Sequence, residues 1–249
     1  MQEENSRGVL LLHGFGDTPQ TFGLLAEHLH TAGFSVRAPL LPGHGRSLNE
    51  FAKSRRSEWL AVARQELATL RKRYPSVGVV GLSMGGALAT ILGSESSETK
   101  ALVLIAPYLG MRFSYRVASM SHWMWGPLLG IRPSRVKGSI LDPDEQAKNL
   151  GHGVYTGRLL HELWRLARDA RRSLHAVTAP TLIIQSRQDP RVVGSIAEDA
   201  IKKIGAKEKK LIWVEGAGHI LTVDYGREQA FEEIRSWLDA YLSVRTAAD

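Results

Sequence analysis

The sequence predicts an α/β protein: a mainly parallel sheet of about six strands, flanked by helices and carrying a small helical cap insertion. Three observations predict it. Short runs rich in Val, Ile and Leu alternate with longer stretches of helical spacing, the order expected of parallel strands joined by crossover helices. The short runs are apolar at successive positions rather than cleanly alternating, as strands covered on both faces should be. The alternation lapses once, between Tyr108 and Leu174, where no core strand is legible.

The strands read as Val9–Leu12, Ser35–Ala38, Val77–Gly81, Ala101–Ile105, Thr181–Gln185 and Lys210–Val214. Helical spacing covers Thr18–Ala32, Ser57–Tyr74, Ser83–Ser94, Ser195–Ile204 and Arg227–Val244. In the last of these, Phe231, Ile234, Leu238 and Tyr241–Leu242 recur at intervals of three and four, which puts them on one helix face. The interrupted segment holds "SHWMWGPLLG" and a further helical stretch, "GRLLHELWRLARDARRSL". Residues 1–106 and 176–249 are expected to form the core domain. Residues 107–175 are expected to form a cap lying over the carboxyl edge of the sheet.

Composition narrows the chemistry. The 249 residues suffice for one large domain with an insertion. There are no cysteines, so disulfides, thiolate metal sites and cysteine nucleophiles are excluded. The start, "MQEENSRG", lacks the basic, then apolar, character of a signal peptide, and no window approaches the ~20 apolar residues of a membrane span. A cytoplasmic protein is expected. The net charge of +7 is concentrated: between Pro107 and His175 stand eleven Lys and Arg against five acids. Such a segment is either a solvated basic surface or a weak contact for anionic lipid. No helix-turn-helix, zinc or stacking signature accompanies it, so nucleic acid is not an expected partner. No His/Asp/Glu grouping has metal-ligand spacing, and neither a metal nor a cofactor is expected.

Ligands of open parallel sheets bind at the carboxyl ends of the strands. Reactive groups follow strands directly at His13-Gly14-Phe15-Gly16, Ser83, Asp189 and His219. Ser83 sits in "GLSMG", between a Val-rich strand and a helix, the context that makes G-x-S-x-G a nucleophile elbow. A helix N-cap would also account for the serine. It would not account for Gly81 and Gly85, which a tight turn needs and a helix interior disfavours. A serine nucleophile requires a base held by a third group. Among nine histidines, His219 alone joins a post-strand position to a glycine-flanked loop, "EGAGHI", ahead of a final helix. The neighbours of His13 point to a structural role. Asp189, in "QSRQDPRV", ends a strand between Ser83 and His219, although Asp before Pro also starts turns. The order Ser…Asp…His is the one that accompanies nucleophile elbows. Acyl transfer develops negative charge on the carbonyl oxygen, and the N–H groups of Met84 and of Phe15 in "HGFG" are the candidate donors to it.

The blocks "LLLHGFGDTPQTF", "LPGHGRS", "GLSMGG", "APTLIIQSRQDPRV" and "EGAGHILTVDYGREQAFEEI" together resemble an α/β-hydrolase, and more narrowly the bacterial monoacylglycerol lipases and related small carboxylesterases. The resemblance spans Val9–Ala106 and Ala179–Leu242. It implies the α/β-hydrolase fold, Ser83, Asp189 and His219 as catalytic triad, and Phe15 and Met84 as oxyanion donors. The insertion matches poorly and offers no glycerol-recognising residue. Its apolar cluster of Met120, Trp123, Met124, Trp125, Leu128 and Leu129 either lines an acyl pocket or packs the cap onto the core. Met120, Trp123, Met124 and Leu128 are the candidate substrate-binding residues. The expected activity is hydrolysis of carboxylic esters with short to medium acyl chains, monoacylglycerols first, through an acyl-enzyme. A thioesterase, a carbon–carbon bond hydrolase, an acyltransferase or a non-turnover ligand receptor would use the same constellation.

Overall fold

The computed structural model describes residues 6–111, 113–134 and 136–242. Arg112 and Arg135 of the basic segment, and the final residues of the helix predicted to run to Val244, lie outside them.

The chain runs β1 (Arg7–Leu12), α1 (Gly23–Thr31), β2 (Ser35–Arg37), α2 (Leu48–Lys53), α3 (Arg56–Arg73), β3 (Ser76–Leu82), α4 (Met84–Glu95) and β4 (Thr99–Ile105). It continues through α5 (Phe113–Met120), α6 (His122–Leu129), β5 (Arg132–Pro133), α7 (Pro143–Lys148), β6 (Val154–Tyr155) and α8 (Gly157–Ser173). Strand β7 (Thr181–Ser186), α9 (Gly194–Lys203), β8 (Lys209–Val214) and α10 (Arg227–Leu242) complete it. All six expected core strands are present. The helix expected over Thr18–Ala32 is divided: Pro19–Phe22 forms a 3₁₀ turn, with Pro19 in its first positions and Thr18 Oγ1 accepting from Gln20 N–H at 3.3 Å. Helix α2 was not expected, since six residues are too few to show periodicity. Its sequence signal is the capping box of Ser47 and Glu50.

The sheet order is β2-β1-β3-β4-β7-β8, and every neighbouring pair is parallel. The chain therefore builds outward from β1 in one direction, then crosses back and builds outward from β3 in the other. At that reversal the loops after β1 and β3 leave in opposite directions and open a crevice at the carboxyl edge. Leu12 is in register with Gly81 there, which brings the segments after both strands side by side.

Successive strand residues supply opposite faces. Leu10, Leu12, Val77 and Val79 join the core formed with α3, α4, α8 and α9, while Val9, Leu11, Val80 and Leu82 join the core formed with α1 and α10. All eight are essentially inaccessible to solvent. Each such side chain contributes about 1.5–3 kcal/mol on burial, which accounts for the unbroken apolar runs in the sequence. Helix α8 packs along α4, and its Leu159, Leu163, Leu166 and Ala170 belong to the same core cluster as Leu88 and Leu92. Helices α5 and α6 lie against α8 in turn. Among the described residues no helix is long and apolar enough to cross a membrane.

Candidate active site

Ser83 stands between β3 and α4 with φ 55° and ψ −112°, one of two non-glycine residues at positive φ among those described. Such a conformation costs on the order of 1–3 kcal/mol and persists only where the surroundings impose it. The surroundings do so here. Ser83 N–H donates to Ile105 O at 2.9 Å, and Ser83 O accepts from the N–H groups of Tyr108 (3.0 Å) and Ala87 (3.2 Å). The turn is closed by two glycines: a Cβ on Gly81 would lie 2.2 Å from Gly85 O, and a Cβ on Gly85 would lie 1.8 Å from Leu12 O. The hydroxyl makes no capping bond to α4. It is aimed at His219 instead.

Ser83 Oγ lies 2.8 Å from His219 Nε2, and His219 Nδ1 lies 2.8 Å from Asp189 Oδ2. Asp189 Oδ1 accepts from the backbone N–H of Arg191 at 2.8 Å and of Val192 at 3.0 Å, and Oδ2 accepts from Gln185 Nε2 at 3.0 Å. Burial alone would raise the Asp189 pKa. The adjacent His219, by charge and by hydrogen bond, together with the two N–H donors, outweighs burial and holds it below the ordinary value. Asp189 is therefore the ionised acceptor, an arrangement that suits a proton on His219 Nδ1 and leaves Nε2 as the acceptor facing Ser83 Oγ. His219 is set by its own backbone: its N–H and that of Ile220 both donate to Ser139 O at 2.8 Å.

The loop after β1 reaches the same point. A Cβ placed on Gly14 would lie 3.6 Å from Ser83 Cβ, and Phe15 lines the same cavity as Ser83. Met84 opens α4, where first-turn N–H groups lack intrahelical acceptors and the helix dipole favours negative charge. His13 lies beneath this loop. Its Nδ1 donates to Gly14 O at 2.9 Å and its Nε2 accepts from Leu41 N–H at 3.0 Å, so both ring nitrogens are used structurally. Burial pulls its pKa down to about 4, against the pull of the Gly14 carbonyl. His44 packs edge-on against His13, with Phe15, Phe51 and Trp59 around it, and burial lowers its pKa to about 3.

A cavity of about 430 Å³ opens over Ser83 and His219. Tyr108, Tyr115, Val154, Leu160 and Leu163 are among its more apolar lining residues, and Asp17, Gln146, Asn149 and Arg191 among its polar ones. Met120, Trp123, Met124 and Leu128, the expected substrate-binding residues, do not line it. They are exposed at 56%, 69%, 60% and 84% respectively. Helix α6 is apolar around most of its circumference, so spacing could not tell which face turns inward. Trp125 takes the inward position: its Nε1 donates to Ala118 O at 2.9 Å and its ring lies over Gly157. Helix α8 contributes Leu160 and Leu163 to the apolar lining, and among the described residues α6 contributes none of it.

Two acids escaped the sequence reading. Asp17 follows the "HGFG" loop directly and faces the cavity. Burial pushes its pKa up to about 6, against the pull of His219 and Arg191. Asp17 stands one residue beyond the His13-Gly14-Phe15-Gly16 stretch that follows β1. Asp224 is fully buried, and its carboxylate accepts from the backbone N–H groups of Leu141 (2.8 Å), Asp142 (3.0 Å), Gly218 (2.7 Å) and Tyr225 (2.9 Å). It ties the His219 loop to the segment that carries Ser139, and its sequence signal is its place five residues after His219 in "GHILTVD". Among the described residues no three His, Asp or Glu side chains converge as a metal site.

The family model described as serine aminopeptidase, S33, matches residues 3–225. Among curated proteins, the thermostable monoacylglycerol lipase of Bacillus sp. (strain H-257) is 27% identical over 230 residues, covering 92% of this chain and 89% of that protein. The carboxylesterase of Bacillus subtilis (strain 168) is 23% identical over 236 residues, covering 94% and 92%. A solved structure described for LipS and LipT, two metagenome-derived lipolytic enzymes, superposes with a TM-score of 0.85 at 29% identity, covering 94% of each chain. With the family model spanning the elbow, the Asp189 turn and the His219 loop, the chain belongs to the serine aminopeptidase, S33, family and is an α/β-hydrolase.

Proposed function

We propose that the protein is a serine carboxylic-ester hydrolase acting on monoacylglycerols and on simple esters of short to medium acyl chain. The observation that carries this reading is the unbroken relay from Ser83 Oγ through His219 to Asp189, opening into a cavity lined by both apolar and polar side chains. Relatives named monoacylglycerol lipase and carboxylesterase support the same substrate class.

In this mechanism His219 Nε2 takes the Ser83 proton as Oγ attacks the ester carbonyl. The imidazolium so formed is stabilised by Asp189. The N–H groups of Phe15 and Met84 donate to the oxyanion, and each such donor is worth ~10²–10³ in rate. His219 returns the proton to the leaving alcohol. Water, activated by the same histidine, then releases the acid from Ser83. Leu160, Leu163 and Tyr115 are placed to receive the acyl chain, and Asp17 is placed to accept a hydrogen bond from a hydroxyl of the leaving alcohol. Residues 107–175 act as the cap over a core of 1–106 and 176–249. Phe113, Trp123, Met124 and Leu128, exposed on that cap amid its basic residues, form the face that would meet an anionic lipid surface.

A panel of p-nitrophenyl esters of increasing acyl length, run beside monoacylglycerols, tests the reading. Turnover of both, with an optimum at short to medium chain, is expected. Negligible turnover of every member by folded protein would overturn it.

A further inference from the structure

A second cavity, of about 440 Å³, adjoins the first, and Arg191 lines both. Leu109, Trp164, Val193 and Ile196 give it apolar lining, and Arg116, Arg168, Arg171 and Arg191 line it as well. Its volume falls within the range of small-molecule sites. The carboxylates paired with Arg168 and Arg171 are already shared. Asp169 pairs with Arg56 at 2.5 Å as well as with Arg168 at 3.2 Å, and Asp199 pairs with Lys203 at 2.8 Å as well as with Arg171. Among the described residues Arg116 and Arg191 have no carboxylate within ion-pair distance. Arg116 stacks over Phe113 at 5.1 Å, and Arg191 donates to the hydroxyls of Ser139 (2.6 Å) and Ser134 (3.5 Å). The cavity thus sets four arginines, two of them without an ion-pair partner among the described residues, beside an apolar surface.

We infer that this cavity binds a single-chain amphiphilic anion, its head group held by the arginines and its chain against Trp164 and Ile196. Guanidinium forks match the paired oxygens of a carboxylate or a phosphate, and a cleft walled by low-dielectric side chains strengthens the attraction. The site is wired to the catalytic candidates. Backbone N–H groups of Arg191 and Val192 hold Asp189, and the Arg191 side chain holds Ser139, whose carbonyl accepts from His219. An anion drawn to Arg191 therefore acts on the segments that position Asp189 and His219. If the protein is the proposed esterase, the fatty acid it releases is such an anion, and it lowers kcat without displacing substrate.

The test is calorimetric titration of decanoate, decyl phosphate and decanol into wild-type protein and into the Arg116→Ala/Arg168→Ala variant. Decanoate, decyl phosphate or both should bind wild type, decanol should not, and the variant should bind the same anions at least tenfold more weakly. Equal affinity in the variant, or no binding of either anion to wild type, would overturn the site. Should the double variant fail to fold, Arg116→Glu at that exposed position carries the same expectation. A second arm measures kcat at saturating ester with and without decanoate. Wild type should slow and the variant should not, while purely competitive inhibition in both would refute the coupling. The calorimetric arm needs no turnover, so failure of the esterase reading leaves it intact.

Discussion

Ser83 and His219 are 136 residues apart in the chain, yet Oγ and Nε2 stand 2.8 Å from one another. The contact exists because the strands before them, β3 and β8, lie in one parallel sheet and end at the same edge. If the relay works as proposed, Ser83→Ala and His219→Ala each abolish ester hydrolysis, and Asp189→Asn lowers kcat by about 10⁴ through loss of the correct tautomer. Circular dichroism should be unchanged in all three. Near-wild-type turnover in either alanine variant would end the assignment.

Gly85 has no room for a side chain, since its Cβ would meet the carbonyl of Leu12 at 1.8 Å. Gly85→Ala must therefore push α4 away from β1 and open the elbow. A loss of at least about 3 kcal/mol is expected, since a buried backbone atom cannot yield as a side chain can. Denaturant unfolding of Gly85→Ala against wild type measures it.

His13 and His44 make stability depend on pH. Both are buried and neutral, with pKa values lowered to about 4 and about 3. The unfolded chain takes up protons below about pH 6.5 that the folded chain refuses, so their contribution is complete above that pH and is lost as pH falls. For His13 the change is on the order of 3 kcal/mol between pH 6.5 and 4. Asp17 acts in the opposite sense. Its pKa is raised to about 6, so the folded state binds the extra proton as pH falls from 6 towards 4 and is favoured there. Urea midpoints should still fall from pH 6.5 to 4, and fall more steeply in Asp17→Asn. A flat profile would contradict the buried neutral histidines.

Asp224 acts on His219 at one remove. Asp224→Ala leaves four N–H groups without their acceptor, that of Gly218 buried and the other three partly so, and the loss costs about 1–3 kcal/mol for each group that water cannot reach. Thermal unfolding should show a lower Tm. On any ester that is turned over, kcat should drop at least tenfold while KM changes little, because the Gly218–His219 segment is no longer anchored. Partial recovery in Asp224→Asn, which keeps an acceptor oxygen, would separate positioning from a purely structural loss.

Much of this was legible in the linear sequence because it depends on local rules. All six strands lie where the apolar runs are, and the four central ones, β1, β3, β4 and β7, are buried on both faces as those runs require, whereas the edge strands β2 and β8 are only partly covered. The glycine pair around Ser83 required a turn too tight for an ordinary N-cap. Asp189 and His219 could be picked from many acids and nine histidines because only they follow strands in the right order. What failed depended on which side of a helix faces inward. Hydrophobicity marks Met120, Trp123, Met124 and Leu128 alike, but α6 is apolar on most sides, and packing against α8 turns Trp125 inward instead. Asp17 and Asp224 stand close in sequence to the "HGFG" loop and to His219, but neither they nor Arg191 carry a local mark of what their side chains meet. Asp17 meets the cavity only once the loop after β1 has folded back on Ser83. Asp224 finds its four N–H donors only when residues 139–142 and 218 converge. Arg191 comes to wall two cavities only through the packing of α5, α8 and α9 around it. The sequence by itself determined the sheet, the elbow and the order of the reactive residues, since backbone sterics and periodic burial act along the chain. Only the tertiary structure decided the lining of the cavities and the charge around them, since those arise where segments distant in sequence desolvate one another.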